Sequence, residues 1–345
     1  MPILKLFRGV TWPAQLVLML MVWGLACQSA AATSAFPSAR DQLAVMHRGI
    51  NIMDGDPVWD HSASAWFGTE KFALVHDAGF DTVRINLHSF PHLDGSGTLD
   101  AAWLSTLDRY VHAGLAEGLT VILDIHDDLV CDQDLTACKR KLPQVWSQIA
   151  SRYKSEPGKL LFEPLNEPHG AVTAALWNGL LRDTLRAIRA SNPARNVVIG
   201  PAGYNSVEQL PTLDLPARDA HIIVTVHYYW PTRFTHQGVP WLPDYQYLSG
   251  VTFGSDEQKA KIGQDFDQVA AWGRAHNRPI FLGEFGAYEK GDMGSRVKYL
   301  STVSRIAEAH GFAWALWEFE TDFAAYDMKR EQWNVPLLRA LMPRR

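Results

Sequence analysis

Eight short apolar runs, each followed by a helical or crossing segment, constrain this chain more than any other feature. They are HRGINIM from His47, FDTVRINL from Phe80, LTVILDIH from Leu119, LLFEPLNE from Leu160, NVVIG from Asn196, HIIVTVHYY from His221, PIFLGEF from Pro279 and FAWALWEF from Phe312. They are near-continuous in apolar residues instead of alternating, as expected for parallel strands buried on both faces. Between them lie helical patterns around Lys71 to Ala78, from about Gln144, and in AALWNGLLRDTLRAIRA, where apolar residues recur three and four places apart. Gly79, Gly118 and Gly311 stand where helices would end before the next strand. Eight such units predict an α/β fold, a single (β/α)8 TIM barrel. The rival open sheet needs a glycine-rich turn after its first strand, and RGINIMDGD has none.

The first residues follow other rules. Lys5 and Arg8 precede LVLMLMVWGLAC (Leu16 to Cys27) and the small-residue stretch QSAAATSA. This predicts a secretory signal over residues 1–32, cleaved after Ala32, with 33–345 left as one catalytic domain. A lipid anchor on Cys27 is the alternative, disfavoured because Leu25 lies one place too close; an uncleaved anchor helix would need a longer apolar run. Export to the periplasm or the medium leaves Cys131 and Cys138 as an even pair in an oxidising compartment. They bracket the loop-like DQDLTA, so a local disulfide is expected, with two reduced thiols as the alternative. A formal net charge of −5 without any Lys/Arg block excludes nucleic acid as an expected partner. Thirteen tryptophans suit both a core and a cleft that stacks on flat ligands.

In a (β/α)8 barrel, function collects at the C-terminal strand ends. Here those ends carry Asn51, Arg84, His126, Asn166 with Glu167, His227 with Tyr229, Glu284, and Trp317. Any one alone reads as an ion pair, a hydrogen-bonded histidine or a core tryptophan; together they read as a site. Glu167 and Glu284 form a carboxylate pair of the kind glycoside hydrolysis needs. Mutual repulsion is expected to raise one pKa, while Arg84 keeps the other group ionised. A metal-dependent hydrolase using His126, Asp127, Asp128 and His227 is the rival, with Asn166, Arg84 and Tyr229 as poor companions for an ion. A non-catalytic sugar-binding barrel is a second rival, although both carboxylates are present. No metal and no cofactor is implied.

RGIN, VRINL, ILDIH, LNEP, HYY, GEFG and WALWEF, in that order across nearly all of 33–345, resemble glycoside hydrolase family 5. The resemblance implies a retaining mechanism with Glu167 as acid/base and Glu284 as nucleophile. It implies that Arg84 and Tyr229 position Glu284 and that Asn166 binds the sugar 2-hydroxyl. His126 and His227 would line the cleavage subsite, Trp317 would stack beneath that sugar, and Asn51 would contact substrate. FTHQGVPW and FGAYEKGDMGSRVKYL resemble bacterial endoglucanases of this family, some also active on mannan, which adds His236 and Trp241 as substrate contacts; Trp241 reads equally as a loop anchor. Asp127 stands where many relatives carry a second histidine, and FETDFAAYD lacks the cysteine or serine of some relatives. The expected activity is that of a secreted endo-β-1,4-glucanase, with β-mannan, xyloglucan or mixed-linkage glucan as alternatives. The expected partner is a polysaccharide substrate. Retention also predicts carboxyl groups ~5 Å apart, against ~6.5–9.5 Å for inversion.

Overall fold

The computed structural model describes residues 36–342; the expected signal, its cleavage point and Cys27 lie outside the described residues. A short helix α1 (Ala39–Leu43) precedes β1 (Arg48–Ile52), α2 (Lys71–Asp77), β2 (Thr82–Leu87), α3 (Ala101–Ala116) and β3 (Thr120–Ile125). Next come α4 (Asp128–Gln133), α5 (Leu135–Arg152), β4 (Leu160–Glu163), α6 (Ala174–Arg189), β5 (Val197–Ile199) and β6 (Ile222–His227). The chain ends with α7 (Thr232–Thr235), α8 (Asp256–Ala275), β7 (Ile280–Glu284), α9 (Met293–Ala309), β8 (Ala313–Leu316) and α10 (Val335–Leu341). The eight strands pair in chain order, all parallel, and β8 closes on β1. This is the (β/α)8 barrel that the apolar runs imply. The fifth unit departs from it, since β5 is followed only by a 3-10 turn, Val207–Thr212.

Two cores result from the period-2 alternation of each strand. Val121, Leu123 and Ile125 belong to the large core shared with the helices, whereas Ile122 joins Leu161, Val198, Ile223, Phe281 and Ala315 in a second core within the barrel. Ala39 and Met46 pack against this inner core. On α6, Trp177, Leu180, Leu181, Thr184, Leu185 and Ile188 are the buried face, matching the three-and-four spacing in the sequence. Gly118 and Gly311 adopt φ of +76° and +74°, the left-handed geometry that ends a helix without a Cβ clash.

Three local expectations shift. Helix α5 starts at Leu135, not near Gln144, because Asp134 caps it by accepting from the Ala137 N–H at 2.9 Å and Pro143 is carried inside. DQDLTA is therefore the end of one helix and the start of the next, not a loop. Cys131 and Cys138 form the expected disulfide across that break, with a Cα–Cα distance of 4.8 Å. Strand β4 stops at Glu163, so Asn166 and Glu167 lie in the turn beyond it.

Candidate active site

Register places the polar layer of the barrel. Asn51 pairs with Arg84, and Arg84 with Ile122 of the inner core, so both polar side chains face inward. Two residues along, Asn86, Asp124 and Glu163 are in register with one another on the same face. Arg84 is fully buried and holds this layer together. Its Nε and Nη2 donate to the two oxygens of Glu163 at 2.8 and 3.0 Å, a bidentate pair, and Nη2 lies 2.9 Å from Asp124 Oδ2. Nη1 donates to Glu284 Oε1 at 2.7 Å and to Asn51 Oδ1 at 2.8 Å; Nη2 donates to Asn166 Oδ1 at 3.0 Å. A guanidinium taken fully out of water is tenable only with such compensation.

Glu284 accepts a second hydrogen bond, from the Tyr229 hydroxyl at 2.9 Å. Burial and the neighbouring carboxylates push that phenol well above its ordinary pKa, so it remains a donor. His227 stands between the two glutamates, with Nδ1 2.7 Å from Glu167 Oε1 and 3.5 Å from Glu284 Oε2. One oxygen of each glutamate and a nitrogen of His227 lie within 4.8 Å of one another. Glu167 adopts φ of +35°, which a non-glycine residue accepts only under constraint from its surroundings. Two contacts hold the turn: the Asn166 N–H donates to Ile125 O at 2.8 Å, and the His169 ring lies 2.7 Å from Glu167 O. The Glu167 side chain remains 21% exposed, against 5% for Glu284, so Glu167 is the more open to the cleft.

Burial pushes Glu167 and Glu284 both up to about 7, against the pull of Arg84 on each and of His227 on Glu284. Burial is the first cause of both shifts; repulsion from Glu167 adds to the shift of Glu284, and Arg84 opposes both. The asymmetry lies in hydrogen bonding: among the described residues Glu284 accepts from a guanidinium and a phenol, and Glu167 from His227 alone. Burial also pulls His227 down to about 4, which leaves it neutral near pH 7. Asp124 and Glu163 rise to about 7 for the same reason, opposed by Arg84.

His126 lies 2.5 Å from Asp124 through Nε2 and stacks parallel to Trp317, with ring centroids 5.7 Å apart and planes within 5°. Trp317 is half-buried at the end of β8. Asn51 belongs beneath the site, not in its lining: it is fully buried, its Nδ2 donates to Gly283 O and Leu316 O at 3.0 and 3.1 Å, and its oxygen serves Arg84. Its expected role in contacting substrate gives way to one in holding Arg84. His236 packs its ring 5.0 Å from Tyr229, and burial lowers its pKa to about 4. Trp241 is 55% exposed and touches Tyr288 edge-on at 5.7 Å, which leaves a face open. Asp127 turns into the protein, where it accepts from Ser89 N and Oγ, both at 2.8 Å, and from Phe90 N at 3.0 Å. Asp128 does reach the site and accepts from Asn166 Nδ2 at 3.4 Å.

Asp124 and Glu163 were not singled out in the sequence, although ILDIH and LLFEPLNE display them. A lone carboxylate inside an apolar strand is the signal, because such a charge must find a buried partner. Asn205, which faces His227, carries no such signal.

Glu167, His227 and Glu284 offer the cluster of cation ligands among the described residues. Two of these groups, His227 Nδ1 and Glu167 Oε1, stand 2.7 Å apart as a hydrogen bond, closer than the roughly 3.4 Å between two ligands of a tetrahedral ion with bonds near 2.1 Å. Arg84 already occupies one oxygen of Glu284. The arrangement suits proton transfer and charge stabilisation at a bond held between two carboxyls.

The profile of the cellulase family, glycosyl hydrolase family 5, matches residues 51–322, and the chain belongs to that family. An endoglucanase of the hyperthermophile Thermotoga maritima superimposes with a TM-score of 0.85 at 34% identity, over 88% of this chain and 100% of that one. Crystal structures of a Thermotoga maritima protein of this family with cellobiose and with mannotriose both align with a TM-score of 0.83 at 34% and 33% identity, over 88% of this chain and 99% of theirs. Endoglucanase H of Acetivibrio thermocellus is 30% identical over 296 residues, which span 82% of this chain. The match covers only 31% of that relative's length.

Proposed function

We propose that the chain is a secreted endo-β-1,4-glucanase that cleaves internal glucan bonds with retention of configuration. The observation that carries this reading is that one oxygen of Glu167 and one of Glu284 lie within 4.8 Å of each other, with His227 between them. Retention needs carboxyl groups ~5–5.5 Å apart, and inversion needs room for a water between them. In the first step the bond from the anomeric carbon to the leaving oxygen breaks as Glu284 forms a bond to that carbon. Glu167 gives its proton to the departing oxygen. In the second step water displaces Glu284, and Glu167 takes the proton that water loses. Arg84 and Tyr229 hold the nucleophile as its charge is spent and regenerated. Trp317 offers the ring on which the sugar at the cleavage point rests, with Asn166 and His126 beside it.

The Thermotoga maritima structures with cellobiose and with mannotriose favour β-mannan as a second substrate. We further propose that residues 1–32 are a cleaved signal and 33–345 one catalytic domain, delivered to the periplasm or the medium; the Cys131–Cys138 disulfide suits an oxidising destination. Reducing-sugar release from carboxymethylcellulose and glucomannan, for wild type and Glu284→Ala side by side, tests the activity. Glucan hydrolysis that disappears in the variant is expected. Release from neither polymer by the wild type would overturn the glucanase reading.

A further inference from the structure

The segment after β5 makes an unusual turn. Gly203, Tyr204 and Asn205 adopt φ of +82°, +62° and +51°, three successive left-handed residues, two of them not glycine. Such a run persists only when the fold holds it, and here both ends are tied. The Gly203 N–H donates to Pro168 O, next to Glu167, at 2.6 Å, and Asn205 O accepts from the His227 N–H at 2.9 Å. The turn thus bridges the two residues that flank the acid end of the site.

It delivers one side chain inward. Asn205 is fully buried, and its Nδ2 lies 3.3 Å from His227 Nε2, while its Oδ1 has no hydrogen-bond partner among the described residues. The amide is admitted by Gly200, where a Cβ would fall 2.1 Å from Asn205 Oδ1. His227 in turn lies against Gly283, where a Cβ would come within 3.0 Å of Nε2. The imidazole is therefore confined, and each ring nitrogen meets one kind of neighbour. Nδ1 faces two carboxylates, Glu167 Oε1 and Glu284 Oε2, which accept; Nε2 faces an amide that donates.

We propose that Asn205 is a positioning residue for the reaction: its amide fixes the His227 proton on Nδ1, and thereby makes Glu167 Oε2 the oxygen that exchanges protons with the substrate. A neutral imidazole carries one N–H, and the nitrogen facing a donor must be the bare one. With the proton on Nδ1, Glu167 Oε1 is an acceptor in both steps. The proton given to the leaving oxygen departs from Oε2, and the proton taken from water arrives there, so His227 keeps one proton throughout. Leaving Asn205 Oδ1 unpaired in burial is the cost of presenting Nδ2 to the ring. The inference rests on the assignment of Glu167 as acid/base.

The test uses protein with 15N-labelled histidine, in which two-bond 1H–15N correlations report the tautomer of His227, assigned by its loss in His227→Gln. Wild type is expected to show Nδ1–H with a bare Nε2. Asn205→Asp, which tolerates the left-handed backbone, replaces the donor by an acceptor and is expected to place a proton on Nε2. Asn205→Gly keeps the turn and is expected to give a mixture of tautomers. The kcat on unactivated cello-oligosaccharides should fall about 10–100-fold in Asn205→Asp with KM little changed, and far less on an activated aryl cellobioside. A wild-type enzyme with Nε2–H, or the same tautomer in all three proteins, would overturn the proposal. Failure of Glu167→Ala to distinguish leaving groups would instead remove the acid/base assignment and leave the tautomer result standing.

Discussion

Arg84 on β2 donates from Nη1 to Glu284 Oε1 on β7 at 2.7 Å, while its other edge grips Glu163 of β4 through both carboxylate oxygens. One side chain thus joins the fold's buried charges to the proposed nucleophile. Arg84→Ala strands Asp124, Glu163 and Glu284 in burial without their cation and should cost ~3–5 kcal/mol. Arg84→Lys keeps the charge but not the fork, so it should unfold at a denaturant concentration between the two while losing activity about 100-fold or more. Urea melts beside kcat measurements check both.

Stability should depend on pH in a way the buried groups dictate. Carboxyls raised to about 7 (Asp124, Glu163, Glu167, Glu284) or about 8 (Asp128) by burial bind more protons folded than unfolded. Their contribution is complete below the ordinary carboxylate range and is lost as pH rises through 7–8. His227 and His236, lowered to about 4, act in the opposite sense: their folded forms gain stability as pH rises from 4 towards 6.5. The two effects oppose each other below ~6.5, the ordinary histidine pKa, and above it only the carboxyls remain. Tm should therefore fall between pH 6.5 and 8, with a shallower fall in Glu167→Gln. A Tm that rises across that window would contradict the assignment.

Activity should follow the same two groups. With Glu167 and Glu284 both near 7, kcat/KM should trace a narrow bell centred close to pH 7. The acid limb would report protonation of the nucleophile, and the basic limb loss of the acid. A flat profile from 5 to 9 would contradict it.

The disulfide links cysteines seven positions apart across the α4–α5 break, some distance in sequence from both glutamates. Closing so short a loop should contribute about 2–3 kcal/mol. Cys131→Ser should lower Tm while leaving kcat and KM unchanged, which melting and steady-state assays of the same sample would show.

Trp241, exposed with only an edge contact to Tyr288, does not pack as a loop anchor would. Trp241→Ala should change stability by no more than ~0.5 kcal/mol but raise KM on polymeric substrate several-fold. An unfolding shift of several degrees with unchanged KM would restore the anchor reading.

The strands were legible because burial on both faces leaves an apolar run that survives in any sequence; the strand ends were legible because polarity appears there abruptly. What escaped is tertiary. The inward direction of Asp124 and Glu163 depends on register with Arg84, and register is not written in any one strand. Asn51 read as a lining residue because it ends β1, yet the closure of β8 on β1 puts it under Gly283 and Leu316. The helix expected from about Gln144 begins at Leu135, because the Asp134 cap sets the boundary. Asn205 belongs to a turn whose left-handed residues carry no motif, since only its approach to His227 gives it meaning.

Glu167 and Glu284 are proposed to act together on one bond with retention. Proton NMR of the first turnovers on a cello-oligosaccharide measures it directly, before mutarotation mixes the anomers. The β-anomer of the new reducing end is expected to appear first. An α-anomer formed first would mean single displacement by water, and would contradict the assignment of Glu284 as nucleophile.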